Sequence, residues 1–447
     1  SVASYKILVY NVRYGHSHSN FMGNIADILV DAGHNVTSLI SIVEPSTRDV
    51  TVKSNKIIVE QSPETKALND ALNNHKTDFF TMDVFDWYYT YWISIAFAEP
   101  FATQCKAVLD DEGLIDRLTL EKYDVMIVEN FDVCGVGLSH VIKPKSLITS
   151  SASTPFSYMF EEFGVPLSLS HNPSFRQAWG NLKKIQQISS HAAYTFVNSE
   201  PLIDYATPTL NRVINVPGIG AKPPQKLDKY WDEILSRRPK TVLLSFGSVI
   251  KGVDVLKTVK DSIVTLKNLV LAKWTPQNDL LSDKRLSAFI THGGMGSTQE
   301  TALRGVPGIF IPIFGDQPRN AGMMQHNGFG KVLDKMDLPN SQKFIAAIKD
   351  VLENDRLSYR ENAQRVSQML AKKPFSSREQ LIKYTEFAAE FGPSPALRPQ
   401  SYDMSFIEYH NVDIIAVVLA LVSIVVFITL KVIKLLLGLC LSVKVKR

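Results

Sequence analysis

The chain has 447 residues, of which 45% are hydrophobic and 21% charged, with a formal net charge of +4. This composition is typical of a globular protein, and the length predicts two domains rather than one core. The weak charge, without basic clusters interleaved with aromatic residues, argues against nucleic-acid binding. Cys105, Cys134 and Cys440 form no CxxC pair, which argues against a structural zinc site. Their spacing does not reveal whether Cys105 and Cys134 form a disulfide.

The first half of the chain alternates apolar strands with a helix, which is the pattern of a parallel sheet. Residues 19–33 predict an amphipathic helix that ends at a glycine. The aromatic-rich region 79–105 fits either core packing between helices or the wall of an apolar pocket. Strands are predicted at residues 6–11, 35–42, 123–130 and 145–150.

The second half again alternates predicted strands with helices, after a stretch rich in Pro, Gly and Lys at about residues 208–226. Such a composition predicts a linker, so we expect two α/β domains, residues 1–215 and 216–395. Strands of the second domain are predicted at residues 241–247, 269–274, 286–291 and 308–314.

The C-terminal region contains an uncharged apolar run of 17 residues, 414–430, and the apolar character continues to residue 441. This length predicts a transmembrane helix at 413–441, after a juxtamembrane segment at 396–412. The short tail, 442–447, is basic, so the positive-inside rule places it in the cytoplasm and the two domains across the membrane. That topology requires a signal peptide, and we expect that the numbering begins after a removed one.

The stretch "AFITHGGMGSTQETALRG" places His292 at the carboxyl end of a predicted strand, where open α/β sheets bind ligands. Gly293 and Gly294 permit a tight turn, and a helix is predicted from near Ser297. Its N-terminus favours a phosphate, and His292 adds a hydrogen-bond donor, or a charge if protonated. Glu300 fits either a capping box with Ser297 or a carboxylate that accepts ribose hydroxyls.

Further polar residues follow the neighbouring predicted strands. Trp274 has a flat face for stacking on a base, and Gln277 lies in the same loop. Asp316 and Gln317 follow the last predicted strand, where Asp316 fits either a turn or N-cap position or the same ligand site. The sequence contains no GxGxxG and no Walker lysine motif, which argues against a dehydrogenase or an NTPase.

Together, "WTPQNDLL", "FITHGGMGSTQE" and "GVPGIFIPIFGDQPRNAGMM" closely resemble the donor-binding signature of the UDP-glycosyltransferases, and the resemblance covers nearly the whole chain. It implies the GT-B fold, in which two Rossmann-like domains face a cleft. The first would bind the acceptor and the second a UDP-sugar, with no metal and no separate cofactor. The implied donor-binding residues are Trp274 for uracil, Gln277 and Glu300 for uridine, His292 for the diphosphate, Asp316 and Gln317 for sugar hydroxyls, and Gly294 and Ser297 in the same motif.

The resemblance also implies a catalytic base. In the family a histidine opens the first helix, 16 residues before the histidine of a Gly-His pair, which is at 33–34 here. This register implies His18, with His16 as the alternative. The family usually has an orienting aspartate after a nearby strand; this chain has Glu129 there, and Asp132 three residues on. We expect the acceptor oxygen to displace UDP directly, with inversion at the anomeric carbon.

Two departures from the family pattern motivate a second hypothesis. Gly296 stands where the family commonly has Asn, and only about 20 residues separate Ser248 from Leu269, where the family fits an additional helix and strand. Ser248 is a further candidate for the donor site. Arg319 is the nearest candidate for a basic residue that would bind the carboxylate of a glucuronate donor.

We therefore expect a detoxification-type enzyme in the endoplasmic reticulum membrane, with its catalytic domains in the lumen. It would transfer a hexosyl group from UDP-glucose or UDP-glucuronate to a hydroxyl of a small lipophilic acceptor. The alternative is a catalytically impaired relative that binds nucleotide or associates with active family members in the membrane. A transmembrane helix would allow homo- or hetero-oligomers.

Overall fold

The computed structural model describes residues 3–48, 52–74, 87–153, 183–221, 223–247, 268–353 and 358–445. It divides into two compact units, residues 1–397 and 398–447. The predictions for Ser248 and for the interval that follows it lie outside the described residues. The side chains of residues 79–97, which belong to the predicted aromatic region, also lie outside them.

The first unit contains a seven-stranded parallel sheet with the order β3-β2-β1-β4-β5-β6-β7. Its four predicted strands are confirmed, whereas β3, β6 and β7 were not predicted, and β7 lies inside the predicted linker. The strands are β1 (Lys6–Arg13), β2 (Asn35–Ile42), β3 (Asn55–Val59), β4 (Val125–Glu129), β5 (Ser146–Ser151), β6 (Tyr194–Val197) and β7 (Val213–Asn215).

Both faces of this sheet are buried, which explains why its strands are continuous apolar runs. Along β1, Ile7 and Val9 pack in one hydrophobic cluster, whereas Leu8 and Tyr10 pack in the cluster on the opposite face. This alternation follows the two-residue period of a strand.

A second parallel sheet has the order β11-β10-β9-β8, formed by β8 (Thr241–Ser245), β9 (Leu286–Thr291), β10 (Gly308–Phe310) and β11 (Gly330–Val332). The predicted strand at 269–274 is wrong, because these residues are irregular and β8 pairs directly with β9. Leu271 is 63% exposed, so this apolar run is not buried as a central strand would be. The strand predicted at 308–314 ends early, at Phe310.

Helices connect the strands of both sheets, and two further helices lie near the C-terminus. They are α1 (His16–Asp31), α2 (Pro63–Asn74), α3 (Trp87–Asp110), α4 (Glu112–Leu120), α5 (Val133–Ile142), α6 (Lys183–Ser190), α7 (Lys229–Ser236), α8 (Gln277–Ser282), α9 (Met295–Arg304), α10 (Gln317–His326), α11 (Ser341–Glu353), α12 (Tyr359–Ala371), α13 (Ser377–Phe391), α14 (Phe406–Tyr409) and α15 (Val412–Val445).

The chain returns to the first sheet near its C-terminus. Helix α13 follows the second sheet in sequence, yet Leu381, Ala388 and Ala389 are buried in the same cluster as Ile7 and Val9 of β1. The two sheets therefore belong to one compact unit. The division into separate domains at residue 215 stays a prediction.

A disulfide joins Cys105 in α3 to Cys134 in α5, with their Cα atoms 5.6 Å apart. This bond settles the pairing that the spacing of the cysteines left open. It fastens α3 to the helix that follows β4. Bonds of this kind persist in oxidising compartments.

The second unit consists mainly of α15. Its segment Val412–Leu437 has 26 residues with a mean hydropathy of 2.9, long and apolar enough to cross a membrane. The predicted span at 413–441 lies within this helix. Helix α14 precedes it and begins with a capping box between Ser405 and Glu408.

Candidate functional site

Glycines make room for His292 at the carboxyl edge of the second sheet. A Cβ atom on Gly294 would lie 2.5 Å from Nε2 of His292, and a Cβ atom on Gly247 would lie 2.8 Å from its Cε1. Gly293, between His292 and Gly294, has a φ of 79°, which favours glycine. The helix α9 begins at Met295, two residues before the predicted start, so the turn brings the imidazole directly to the helix N-terminus.

Burial favours the neutral form of the His292 imidazole. Burial lowers the pKa of His292 to about 4, because the charged imidazole loses its hydration. No carboxylate among the described residues compensates for this loss. Of the two roles that the sequence left open for His292, this lowered pKa favours hydrogen-bond donation over a full charge, and the role itself stays a prediction. The positive potential at this point comes from the backbone N–H groups at the start of α9.

Glu300 belongs to a polar cluster beside the start of α9. Nε2 of Gln277 donates to Oε2 of Glu300 at 2.7 Å and to Oγ of Ser297 at 3.1 Å. The capping-box interpretation is wrong, because the N-cap of α9 is Gly294 and no side chain caps the helix. Burial raises the pKa of Glu300. Three of the predicted donor-binding residues, Gln277, Ser297 and Glu300, are thus brought together.

Trp274 lies in the irregular segment after residue 268 and is 57% exposed. The guanidinium carbon of Arg48 lies 4.9 Å from the centre of its ring, and the His16 ring approaches it edge-on at 6.4 Å. Both neighbours come from loops and helix starts at the first sheet. Trp274 is therefore where the two sheets' loops meet, and His16 lies beside it.

His18 and Glu129 form a close pair at the carboxyl edge of the first sheet. Nδ1 of His18 lies 2.6 Å from Oε1 of Glu129, whose position is also fixed by the backbone N–H of Ala152 at 3.1 Å. The helix α1 begins at His16, three residues before the predicted start, which places His18 in its first turn. Glutamate thus reaches the histidine from the position where the family usually has aspartate.

The surroundings of His18 favour its charged form. Burial lowers its pKa, but the charge of Glu129, its hydrogen bond and the charge of Asp316 outweigh this, so the pKa is raised above 6.5. The contribution of Asp316, which precedes α10 of the second half, brings carboxylates from both sheets close to one imidazole. Carboxylates next to a buried imidazole stabilise its charged form.

The carboxylate of Asp132 contacts the start of α5 and strand β1 rather than a histidine. Its carboxylate caps α5 by accepting the N–H of Cys134 at 3.0 Å, and it accepts the hydroxyl of Tyr10 at 3.2 Å. Burial raises its pKa to about 6. Of the two acidic candidates near β4, it is Glu129 that contacts the histidine.

Asp316 and Gln317 open α10 on the rim of the site. Asp316 occupies the N-cap position, but its side chain makes no capping bond and instead accepts Nδ2 of Asn320 at 2.8 Å. Burial raises its pKa. Oε1 of Gln317 accepts the backbone N–H groups of Ile313 and Phe314 at 2.8 and 3.2 Å, which explains why the predicted strand ends before these residues.

Arg319 is ion-paired with Asp204, Nη2 to Oδ1, at 2.6 Å. The residue considered for a uronate carboxylate therefore already has a carboxylate partner within the protein. Neither Asp204 nor Asn320 was predicted, since no local pattern marks them.

Aromatic side chains lie beside the His18 ring. Phe131 is 4.8 Å from it between ring centres, Phe101 is 5.6 Å from Phe131, and Tyr14 is 4.6 Å from Phe101. Phe101 belongs to the described end of the predicted aromatic region and packs against the core cluster that contains Tyr10, as the core-packing interpretation expects. Within the ranges that the structure describes, no group of three or more His, Cys, Asp and Glu residues is placed to hold a metal ion.

Comparison with known proteins identifies the class. The family described as UDP-glucoronosyl and UDP-glucosyl transferase matches residues 5–178 and 260–447, most of the chain. The chain belongs to this family and is a UDP-glycosyltransferase, an enzyme that transfers a glycosyl group from a UDP-sugar.

Relatives and solved structures agree with this assignment. The chain is 26% identical to the Caenorhabditis elegans protein ugt-48, named as a candidate UDP-glucuronosyltransferase, over 96% of this chain and 94% of that protein. It is 26% identical to human UDP-glucuronosyltransferase 1A10, over 76% and 74% of the two chains.

Two plant structures show the same fold. A Polygonum tinctorium UDP-glucosyltransferase matches with a TM-score of 0.60 at 13% identity, covering 87% of this chain and all of that one. Phytolacca americana UGT2 matches with a TM-score of 0.58 at 15% identity, over 86% and 99% of the two chains. The fold is GT-B, as predicted, with a C-terminal apolar helix that is consistent with a membrane anchor.

Proposed function

We propose that this enzyme transfers a hexosyl group from a UDP-hexose to a hydroxyl of a small lipophilic acceptor, with His18 as the general base. The observation that carries this proposal is the 2.6 Å contact between His18 and Glu129, at the edge of the sheet that faces Asp316. The aromatic rings of Phe101 and Phe131 beside His18 support an apolar acceptor.

The reaction is a single displacement. Nδ1–H of His18 donates to Glu129, so Nε2 is free to take the proton of the acceptor hydroxyl. The acceptor oxygen forms its bond to the anomeric carbon from the face opposite the diphosphate, while the bond from that carbon to the diphosphate breaks. UDP leaves with the bonding electrons, and the configuration at the anomeric carbon inverts.

The second half holds the donor. Trp274 stacks on uracil, Gln277 and Glu300 bind the ribose, and His292 with the start of α9 hydrogen-bonds the diphosphate. These neutral donors and backbone dipoles stabilise the leaving group, so that neither a metal nor a further cofactor is needed. Asp316 and Gln317 bind hydroxyls of the sugar.

The catalytic unit lies on the lumenal side of the endoplasmic reticulum membrane, with α15 as a single-pass anchor. The disulfide between Cys105 and Cys134 supports an oxidising compartment. The basic residues after α15 support a cytoplasmic C-terminus.

A second candidate function is nucleotide binding, or association with family members, without turnover. It is favoured by the irregular backbone at residues 269–276, where a further strand of the second sheet was predicted. Such a protein would release no UDP with any donor and acceptor.

The test begins with calorimetric titration of UDP into the detergent-solubilised protein, comparing wild type with His18→Ala and His292→Ala. We expect micromolar binding that His18→Ala retains and His292→Ala weakens. A screen of UDP-glucose and UDP-glucuronate with lipophilic alcohols and phenols should then show UDP release only with acceptor. His18→Ala should lower kcat by about 10²–10⁴-fold. Turnover that survives this substitution would exclude His18 as the base, and binding without any turnover would support the second candidate.

A further inference from the structure

The segment after β6, residues 198–205, leaves the first sheet and packs against α10 of the second half. Ile203 is buried in a cluster with Ala321 and Met324 of that helix. The amide of Asn327, just after α10, donates to the carbonyl oxygen of Ile203 at 2.6 Å. The first half of the chain therefore supplies part of the support for α10.

A buried ion pair joins this segment to the first turn of α10. Nη2 of Arg319 lies 2.6 Å from Oδ1 of Asp204, and the two side chains are 9% and 10% exposed. The same carboxylate accepts the backbone N–H of Tyr205 at 2.7 Å and the hydroxyl of Ser199. The guanidinium carbon lies 5.3 Å from the centre of the Tyr205 ring. Several independent contacts thus fix the position of both charges.

Other contacts of this turn come from within the second half. Asn320 donates to the carbonyl oxygen of Gly293 at 3.0 Å and to Asp316 at 2.8 Å, and Gln317 accepts from the backbone before the helix. Arg319 lies on the same turn, so its buried ion pair ties this turn to the other half of the molecule.

We propose that Arg319 and Asp204 are a positioning pair, which holds the first turn of α10 so that Asp316 and Gln317 meet the donor sugar. This rests on the proposed function, in which those two residues bind the sugar. Arg319 acts through the helix, since its Nη2 is paired with Asp204 within the protein.

The proposal predicts an effect on the sugar but not on the nucleotide. The residues assigned to uridine and diphosphate lie on α8, α9 and the loops before them, and α10 carries only the residues assigned to the sugar. Displacement of its first turn should therefore weaken binding of a UDP-sugar while binding of UDP is retained. A general loss of structure would weaken both.

The test uses the full-length protein in detergent and measures Kd by calorimetry for UDP, UDP-glucose and UDP-glucuronate. The variant Arg319→Met with Asp204→Asn leaves no unpaired buried charge and keeps an unbranched side chain beside Tyr205. We expect its Kd for UDP within about twofold of wild type, and its Kd for the preferred UDP-sugar raised about tenfold or more, since small misplacements of binding groups have large effects. Arg319→Lys should be intermediate, since it retains the charge but not the planar guanidinium.

A second ion pair from the same segment is the matched control. Lys373, after α12, lies 2.9 Å from Glu200, whose side chain is 3% exposed. The variant Glu200→Gln with Lys373→Met neutralises that pair at a distance from the first turn of α10, and both affinities should stay at wild-type values.

Three outcomes would overturn the positioning role. The Arg319→Met, Asp204→Asn variant could keep both affinities, lose both equally, or show a selective loss that the control variant also shows. If the double variant does not fold, the ratio of the two Kd values for Arg319→Lys decides in the same way. A wild-type protein that binds UDP but neither UDP-sugar contradicts the proposed function itself.

Discussion

The two halves of the molecule each place a histidine at the carboxyl edge of a parallel sheet, and their surroundings shift the two pKa values in opposite directions. The pKa of His18 is raised, whereas that of His292 is lowered to about 4. Both rings lose hydration, so burial alone does not explain the difference. Among the described residues, carboxylates act on His18 but not on His292, and they are those of Glu129 and Asp316.

This contrast matches the chemistry that we propose for each half. A base becomes cationic as it takes a proton, and a neighbouring carboxylate stabilises that form. A group that contacts a diphosphate needs only to donate a hydrogen bond, which a neutral imidazole does beside the partial positive charge of a helix N-terminus. The partners of each ring, rather than its depth, set its role.

Glu129→Gln should break this contrast most strongly. Without the carboxylate, the cost of burial is no longer offset, so the pKa of His18 falls. Because the base must be neutral to accept a proton, wild-type kcat/KM should rise with pH through a pKa above 6.5. In Glu129→Gln this rise should move to lower pH, while the plateau falls by about 10²-fold or more.

The measurement is a pH profile of kcat/KM between pH 5 and 9 (a range chosen to span the ordinary histidine pKa of about 6.5), with Glu129→Asp as the control that keeps the charge. Glu129→Asp should retain the wild-type pH dependence with a lower plateau. An unchanged position of the acid limb in Glu129→Gln would contradict the assignment of His18 and Glu129 as the titrating pair.

His292 should show the opposite behaviour. Its pKa of about 4 means that it does not change charge between pH 6 and 8, so it adds no pH dependence to UDP affinity in that range beyond that of UDP itself. His292→Ala should weaken UDP binding about tenfold, the loss of a hydrogen bond to a charged group. Calorimetry at several pH values, with wild type and His292→Ala in parallel, would show the same pH trend for both. A pH trend found only in the wild type would mean that His292 is protonated at the site.

Local sequence patterns predicted the strands that surround these histidines but not the contacts between the halves. The apolar runs of β1, β2 and β9 and the glycine turn after β9 are local, so their positions could be predicted. The run at 269–274 is also largely apolar, yet it forms no strand, so apolar side chains alone do not determine strand formation.

Long-range pairs lie beyond such patterns. Arg319 and Asp204 are 115 residues apart, and nothing local distinguishes this aspartate from any other. His18 and Glu129 are 111 residues apart, and they were paired in advance only because the resemblance to a family supplied the register. A sequence motif fixes the site of the donor, whereas the fold determines which residues support it.

Gly294→Ala gives the smallest expected effect and tests whether the space beside His292 matters. The added Cβ would lie 2.5 Å from Nε2 of the imidazole, so the ring has to turn away from the start of α9. Because the backbone φ of Gly294 is −60°, alanine fits the local conformation, and the helix should form normally. We expect UDP affinity to fall about threefold to tenfold, no more than for His292→Ala, since the ring is displaced rather than removed.

The double variant Gly294→Ala with His292→Ala separates this explanation from a general disturbance of the turn. If Gly294 acts only by making room for the ring, the added methyl has nothing to displace once the imidazole is gone. UDP affinity of the double variant should then equal that of His292→Ala alone. Additive losses would show instead that Gly294 serves the nucleotide directly, through close approach of the diphosphate to its backbone.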